Sequence, residues 1–170
     1  MSTETVLAAL RHSKLSEDLS DDEVSVLASL ATVRDYRVED VPVEMDGEAL
    51  ADCLLILVAG EIEVSAQVNN EPVFLHLDAP GDLARVMSFV GGRASIKAAI
   101  NVKRPSTVLL LKRSSLEATL PSLSGKACTH PTLAYFVMRN LVRYMHQVSR
   151  RSSAEKEEMS NYLYSLHGRY

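Results

Sequence analysis

Cysteine is scarce, with only Cys53 and Cys128 in 170 residues, and neither sits in a CxxC pair or beside histidines at metal-ligand spacing. That excludes a disulfide framework and indicates no metal site, so both are read as reduced thiols of a cytoplasmic protein. Long apolar runs are missing as well. The longest, Cys53 to Ala59, falls far short of the roughly 20 residues that span a bilayer, and Met1 to Arg11 lacks the basic start and apolar core of a signal peptide. A soluble chain with no membrane partner is expected. Neither sign of charge dominates: 18 Lys and Arg stand against 22 Asp and Glu, net −4, which advertises neither nucleic acid nor an anionic surface. His12, His76, His130, His146 and His167 are scattered, and no Ser, His and acid grouping is framed by a nucleophile motif. No catalytic residue is assigned, and the chain is read as not an enzyme.

What is present is a chain of ordinary size for one domain, 46% hydrophobic, enough for a single core. Residues 1–31 carry two helical patterns. Thr5 to Leu10 forms the first; the second follows Ser20, whose hydroxyl can cap the free amides while Glu23 completes a capping box ahead of Val24, Leu27, Ala28 and Leu30.

From 32 to 112 the pattern changes to short β-rich runs: Val33 to Val38, Val41 to Glu44, Cys53 to Val58, Glu61 to Val68, Pro72 to Leu77, Ile96 to Val102 and Thr107 to Leu111. Asp46-Gly47, Ala59-Gly60, Asn69-Asn70 and Pro80-Gly81-Asp82 separate them as turns, a spacing that predicts an all-β barrel or sandwich. Ile62 and Val64 alternate with Glu61 and Glu63, the mark of a strand with one wet face, whereas Leu54 to Val58 must be buried on both sides. One helical stretch, 82–90, interrupts the strands and is stopped by Gly91-Gly92.

Residues 113–170 are read as a short helix, Ser114 to Leu120, a connector, Pro121 to His130, and one long helix from Pro131 to about Leu166, with Pro131 suited to a first helical position. Met138, Leu141, Met145, Val148, Met159, Tyr162 and Leu166 follow heptad spacing, interrupted by Ser152 and Glu155. A seam of that length seeks a partner helix, and the expected partner is a second copy of the chain. Phe136, Val137 and Tyr144 lie off the seam and can pack back on the strands. The alternative is one amphipathic helix lying on its own barrel. Arg139, Arg143, Arg150 and Arg151, followed by Glu155, Glu157 and Glu158, are read as a solvated or salt-bridged face.

Helices, a β-roll holding a short internal helix, then a long helix is an order that resembles the cyclic-nucleotide-binding domain of the catabolite activator protein type. Leu54-Leu55-Ile56-Leu57-Val58-Ala59-Gly60-Glu61-Ile62-Glu63-Val64 resembles that family's strand, glycine turn and strand. Asp46-Gly47-Glu48 resembles its upstream turn, and Pro80-Gly81-Asp82 the loop leading into its phosphate-binding cassette. The resemblance runs from about Ser20 to Ser153. It implies a mainly β fold with flanking helices, a cyclic-nucleotide-binding β-roll (double-stranded β-helix or jelly roll) with a long C-terminal dimerisation helix.

A cyclic phosphate needs backbone amides at a helix start and a guanidinium, and its ribose hydroxyl needs a carboxylate acceptor. The resemblance assigns the phosphate to Arg93 with Ala94 and Ser95 and to the amides after Gly81, and it places Gly81, Asp82, Leu83, Ala84 and Arg85 at the ligand. Ala84 falls where the family has glycine and Arg85 where it has glutamate, which replaces an acceptor by a group that only donates. An unpaired ribose hydroxyl costs about 1–3 kcal/mol. Two readings stand: a vestigial cassette kept for structure, or a cassette that takes cAMP, cGMP, a related nucleotide or another anion. His146-Gln147-Val148-Ser149-Arg150 resembles the stretch that reaches the base, with Ser149 as hydrogen-bonding partner and Arg150 stacking; a merely solvated helix face is the alternative. Transcription-regulating relatives carry a further winged helix-turn-helix domain, and the chain ends at Tyr170, so no direct DNA binding is expected. The expected function is a homodimeric, non-enzymatic regulatory module that signals to a protein partner, or else a ligand-independent scaffold whose dimer helix or Tyr162 to Tyr170 tail binds that partner.

Overall fold

In a computed structural model, residues 2–38, 43–44, 52–68, 71–91, 98–120 and 130–167 are described. Within them the side chains of 43–44, 66–68, 71–73, 91, 98 and 151–167 are left out of the description. The Asp46-Gly47 and Asn69-Asn70 turns, Cys128, most of the connector and the end of the tail therefore lie outside the described residues.

Helix α1 (Thr3–His12) starts at Ser2, whose hydroxyl accepts from the Thr5 amide, and buries Val6, Ala9 and Leu10. A single 3-10 turn, Lys14–Ser16, follows, with Leu15 fully buried. Helix α2 (Asp21–Leu30) has the expected capping box: the Glu23 amide donates to Ser20 Oγ (3.3 Å) and the Ser20 amide to Glu23 Oε2 (2.9 Å). Both helices are longer-lived in the fold than propensity alone would make them, because each presents an apolar stripe to the same core.

The strands are β1 (Ala31–Tyr36), β2 (Val43–Glu44), β3 (Cys53–Val68), β4 (Glu71–Leu77), β5 (Leu83–Ala84) and β6 (Ala98–Lys112). The sequence predicts a turn at Ala59-Gly60 and two strands on either side of it; the structure instead has one continuous strand. The reason is a pairing the sequence does not display. β3 and β6 run antiparallel from Cys53↔Lys112 to Ala66↔Ala98, with register shifts between Leu57 and Ile62. Bulges let a long strand bend without ending. Gly60 takes φ +99°, and a Cβ there would lie 2.3 Å from Ser106 Oγ and 2.4 Å from the Pro105 carbonyl oxygen. Ser106, itself buried, accepts from the Glu61 amide at 2.8 Å and donates its proton to the Arg104 carbonyl.

Each long strand thereby serves two half-sheets. β1 pairs with β6 next to one end (Ala31↔Leu111) and β2 next to the other (Val43↔Ile100), while β5 pairs with β3 at Leu55↔Ala84 and β4 from Ile62↔Leu77 onward. Rolling the sheet divides the core in two. Leu54, Ile56 and Val58 face the helices with Leu109 and Leu111, whereas Leu55 and Leu57 face the inside of the roll with Ile62, Val64, Leu77, Ile100, Val102, Val108 and Leu110. The expectation that Leu54 to Val58 is buried on both sides holds at every residue.

The predicted 82–90 helix needs correction at its start. Leu83 and Ala84 form β5, and helix α3 (Val86–Gly91) begins only after Arg85. Helical spacing of Leu83, Val86 and Val90 misleads because Leu83 reaches the helix-facing core from a strand. Helix α4 (Arg113–Glu117) is shorter than expected, and α5 (Leu133–His167) starts two residues after Pro131.

Candidate functional site

The loop leading into the cassette is held by backbone pairing. The Gly81 amide donates to the Leu57 carbonyl (2.8 Å), the Asp82 amide to the Ala79 carbonyl (3.1 Å), and the Leu57 amide to the Asp82 carbonyl (2.9 Å). Asp82 turns its carboxylate back on the loop, accepting from the Asp78 and Ala79 amides at 3.1 and 2.9 Å. Gly81 has φ +94°, and a Cβ would meet the Ser13 nitrogen at 2.7 Å and the Ala9 carbonyl oxygen at 2.9 Å. The glycine therefore lets the loop press on the end of α1. Of the loop residues expected at the ligand, Gly81 and Asp82 have their amides bonded within the fold.

Leu83 and Ala84 are equally absorbed. Leu83 is buried against the helices and Ala84 inside the roll, opposite Leu55. Arg85 comes next with φ +65°, a conformation that costs about 1–2 kcal/mol for a residue with a Cβ. Its carbonyl accepts from the Phe89 amide (3.0 Å) and so opens α3. Val86 and Phe89 are buried and Met87 is exposed.

The charge around this corner is mainly positive. Burial pushes the Cys53 thiol pKa up; Lys112, Arg85 and Arg34 pull it back, and Asp52 raises it. Arg85 is thus one of the charges felt at Cys53 near the start of β3, with Lys112 directly opposite Cys53 in the ladder. Arg93, Ala94 and Ser95, the phosphate half of the expected site, lie outside the described residues, as does Gly92.

The first half of the long helix packs on the chain's own core, as the alternative of an amphipathic helix lying on its own barrel predicts. Leu133, Val137 and Leu141, spaced by four, are fully buried in the helix-facing core, and Met138, Tyr144 and Met145 pack partly against it. Leu141 therefore leaves the expected dimer seam: it shares a face with Val137, and that face is turned to the chain's own core. Val148 is 46% exposed, and Ser149 and Arg150 are exposed beyond the last packed turn. Ser152, Met159 and Tyr162 continue the helix with side chains outside the description.

Sequence reasoning missed what fastens this helix. Arg139 and Arg143, one turn apart, both pair with Asp18, Arg143 at 2.9 Å. Arg139 also lies 4.6 Å from the Phe136 ring centroid, a stacking geometry that arginine favours. Asn140, 2% exposed, donates from Nδ2 to the Leu15 carbonyl at 3.1 Å. The i, i+4 arginines were visible as a salt-bridged face; their acid partner, more than a hundred residues away, was not. The outer face of the roll carries further pairs, Glu61 with Arg104 (2.7 Å) and His76 (3.1 Å), and Glu63 with Lys103 (3.3 Å). All are partly exposed and contribute little. Among the described residues no three of His, Cys, Asp and Glu are grouped as a metal site, and no helix is long and apolar enough to cross a membrane.

Solved structures share this arrangement. The catabolite activator protein of Thermus thermophilus is 22% identical, with a TM-score of 0.61 over 87% of this chain and 63% of that one. A cyclic nucleotide-binding domain from Methylobacillus flagellatus is 22% identical, with a TM-score of 0.65 over 89% and 80%. The chain has the cyclic-nucleotide-binding β-roll fold. The regulatory subunit of a cAMP-independent protein kinase A from Trypanosoma brucei shares the β-roll at 16% identity and a TM-score of 0.61, over 92% of this chain and 50% of that one. The chain thus spans less than two thirds of the Thermus protein. No family model and no curated protein matches the sequence. At these identities the likeness is one of fold, as expected from the order of elements: mainly antiparallel β with flanking helices and a long C-terminal helix.

Proposed function

We propose that the chain is a non-enzymatic regulatory module, homodimeric through α5, whose altered cassette takes a nucleotide or another anion and whose output is read by a protein partner. The observation that carries this reading is Arg85. A cation stands just before α3, held in a left-handed conformation, where a cyclic nucleotide would need a carboxylate. Backbone strain of this kind persists where the surroundings over-determine it, often at ligand clamps. A cation at the position of that carboxylate, in a cassette whose sequence also carries Arg93, suits a ligand with more negative charge than a cyclic monophosphate. Ser149 and Arg150 are the exposed helix residues that would meet its base.

The dimer seam is proposed on Met138, Met145 and Val148, continued by Ser152, Met159 and Tyr162, without Leu141. Tyr135, 62% exposed, and Val142 are further apolar side chains that α5 leaves uncovered.

A specific observation favours a second reading, a ligand-independent scaffold that only presents α5. The Gly81 and Asp82 amides are already bonded and the interior of the roll is filled with aliphatic side chains. Calorimetric titration with cAMP, cGMP and dinucleotides separates the two. The sensor reading expects heat and thermal stabilisation that Arg93→Ala abolishes; no response at millimolar ligand overturns it in favour of the scaffold. Light scattering tests the dimer, and a monomer mass at micromolar concentration overturns it.

A further inference from the structure

The joint between α5 and the Lys14–Ser16 turn combines two opposed features. It is fastened by charge, because Asp18 receives both Arg139 and Arg143. It is also poorly satisfied inside. Ser16 Oγ, Arg139 Nε and Asn140 Oδ1 are sealed from solvent, and none has a hydrogen-bond partner among the described residues. A buried polar atom without a partner costs the closed state what that atom would regain in water. Three such atoms, on two elements that touch, favour opening at this place. Leu133, Val137 and Leu141 on the same helix favour closure, since opening would wet them.

We infer that this joint is a latch. Closed, it seats the first half of α5 on the Leu15 turn, with Asn140 bonded to the Leu15 carbonyl and Asp18 clamping the two arginines. Open, the trapped polar atoms reach water and α5 is released from the N-terminal helices. The Asp18 charge decides between the two states, because the arginines are the exposed end of the joint and the carboxylate is their shared partner. The latch needs no ligand, and it stands whether or not the cassette takes one.

Hydrogen exchange followed by mass spectrometry on the full chain tests this, reading peptides from 133–145 against peptides from 53–58 in β3. Asp18→Asn keeps the shape and removes the charge. It is expected to speed exchange in 133–145 by about tenfold, the loss of one charge-assisted pairing, while β3 stays protected. Arg143→Gln, at an exposed position, is expected to act in the same direction and more weakly. Raising salt should speed the same amides in the unaltered chain and leave Asp18→Asn unmoved. Unchanged exchange in 133–145 overturns the latch. Equal acceleration in β3 also overturns it, since the contact would then be an ordinary part of global stability.

Discussion

Ser106 and Ser16 are both buried, 4% and 6% exposed, and they differ in what surrounds the hydroxyl. At the bend of the roll, Ser106 accepts from the Glu61 amide and donates to a carbonyl, so a break in the ladder is fully bridged. At the foot of α5, Ser16 Oγ finds no partner among the described residues, and Asn140 Oδ1 on the helix finds none either. Each such orphan costs about 1–3 kcal/mol. Burial of Leu133, Val137 and Leu141 contributes about 1.5–3 kcal/mol each. The orphans offset part of that gain at the foot of the helix, while at the bend the Ser106 hydroxyl is satisfied. The same side chain therefore marks a rigid place in the fold and a poised one.

Breaking the bend should have the largest effect. Gly60→Ala puts a Cβ at φ +99° against the Pro105 carbonyl oxygen, a backbone atom that cannot swing aside. A loss of about 2–5 kcal/mol is expected from strain and overpacking together, measured by urea unfolding of the purified chain. A variant as stable as the parent would show that the bulge tolerates a side chain and that the bend is soft.

The two serines then give opposite signs. Ser106→Ala leaves the part-buried Glu61 amide without its acceptor and should destabilise by about 1–3 kcal/mol. Ser16→Ala removes an orphaned hydroxyl from a helical turn where alanine is well accommodated, and should stabilise by about 0.5–1 kcal/mol. Parallel unfolding curves decide the matter. If both variants lose stability alike, Ser16 has a partner in solution and the contrast between bend and foot fails.

The legible part of the molecule was the part written in local pattern. The capping box at Ser20, the alternation of Ile62 and Val64 with glutamates, the doubly buried Leu54 to Val58 and the long helix all rest on spacing within a few residues, and so does the order of elements that resembles the cyclic-nucleotide-binding domain. What escaped depends on distant pairing. Gly60 reads as a turn because a glycine at a bulge and a glycine at a hairpin look alike until Ser106 is brought opposite. Leu141 fits a heptad as well as it fits the core stripe of Leu133 and Val137, and only docking on the Leu15 turn decides between them. The cassette shows both limits at once. Arg85 stood out by its charge, whereas the engagement of the Gly81 amide and the Asp82 carbonyl follows from pairing with Leu57, across the sheet.

A third serine supplies the smallest effect and the sharpest test of sign. Ser20 is exposed, and its amide and hydroxyl both donate to Glu23. The Glu23 pKa is lowered chiefly by the Ser20 backbone bond; burial opposes this as the next largest effect, and the hydroxyls of Ser20 and Thr132 and the charge of His130 lower it further. A carboxylate whose folded pKa lies below its unfolded one stabilises the fold fully above the unfolded value. That contribution is lost as pH falls through the folded value. The window therefore lies at and below the ordinary glutamate range. Glu23→Gln keeps the capping geometry and removes the charge, so the parent should exceed the variant by about 0.5 kcal/mol near neutrality. The gap should close on acidification to about pH 3, below the usual glutamate pKa near 4.3. Unfolding free energies of the two chains across that range measure it. A gap that stays constant with pH would mean that Glu23 acts at this cap by shape alone, as Ser106 does at the bend, and that its charge contributes nothing to holding α2.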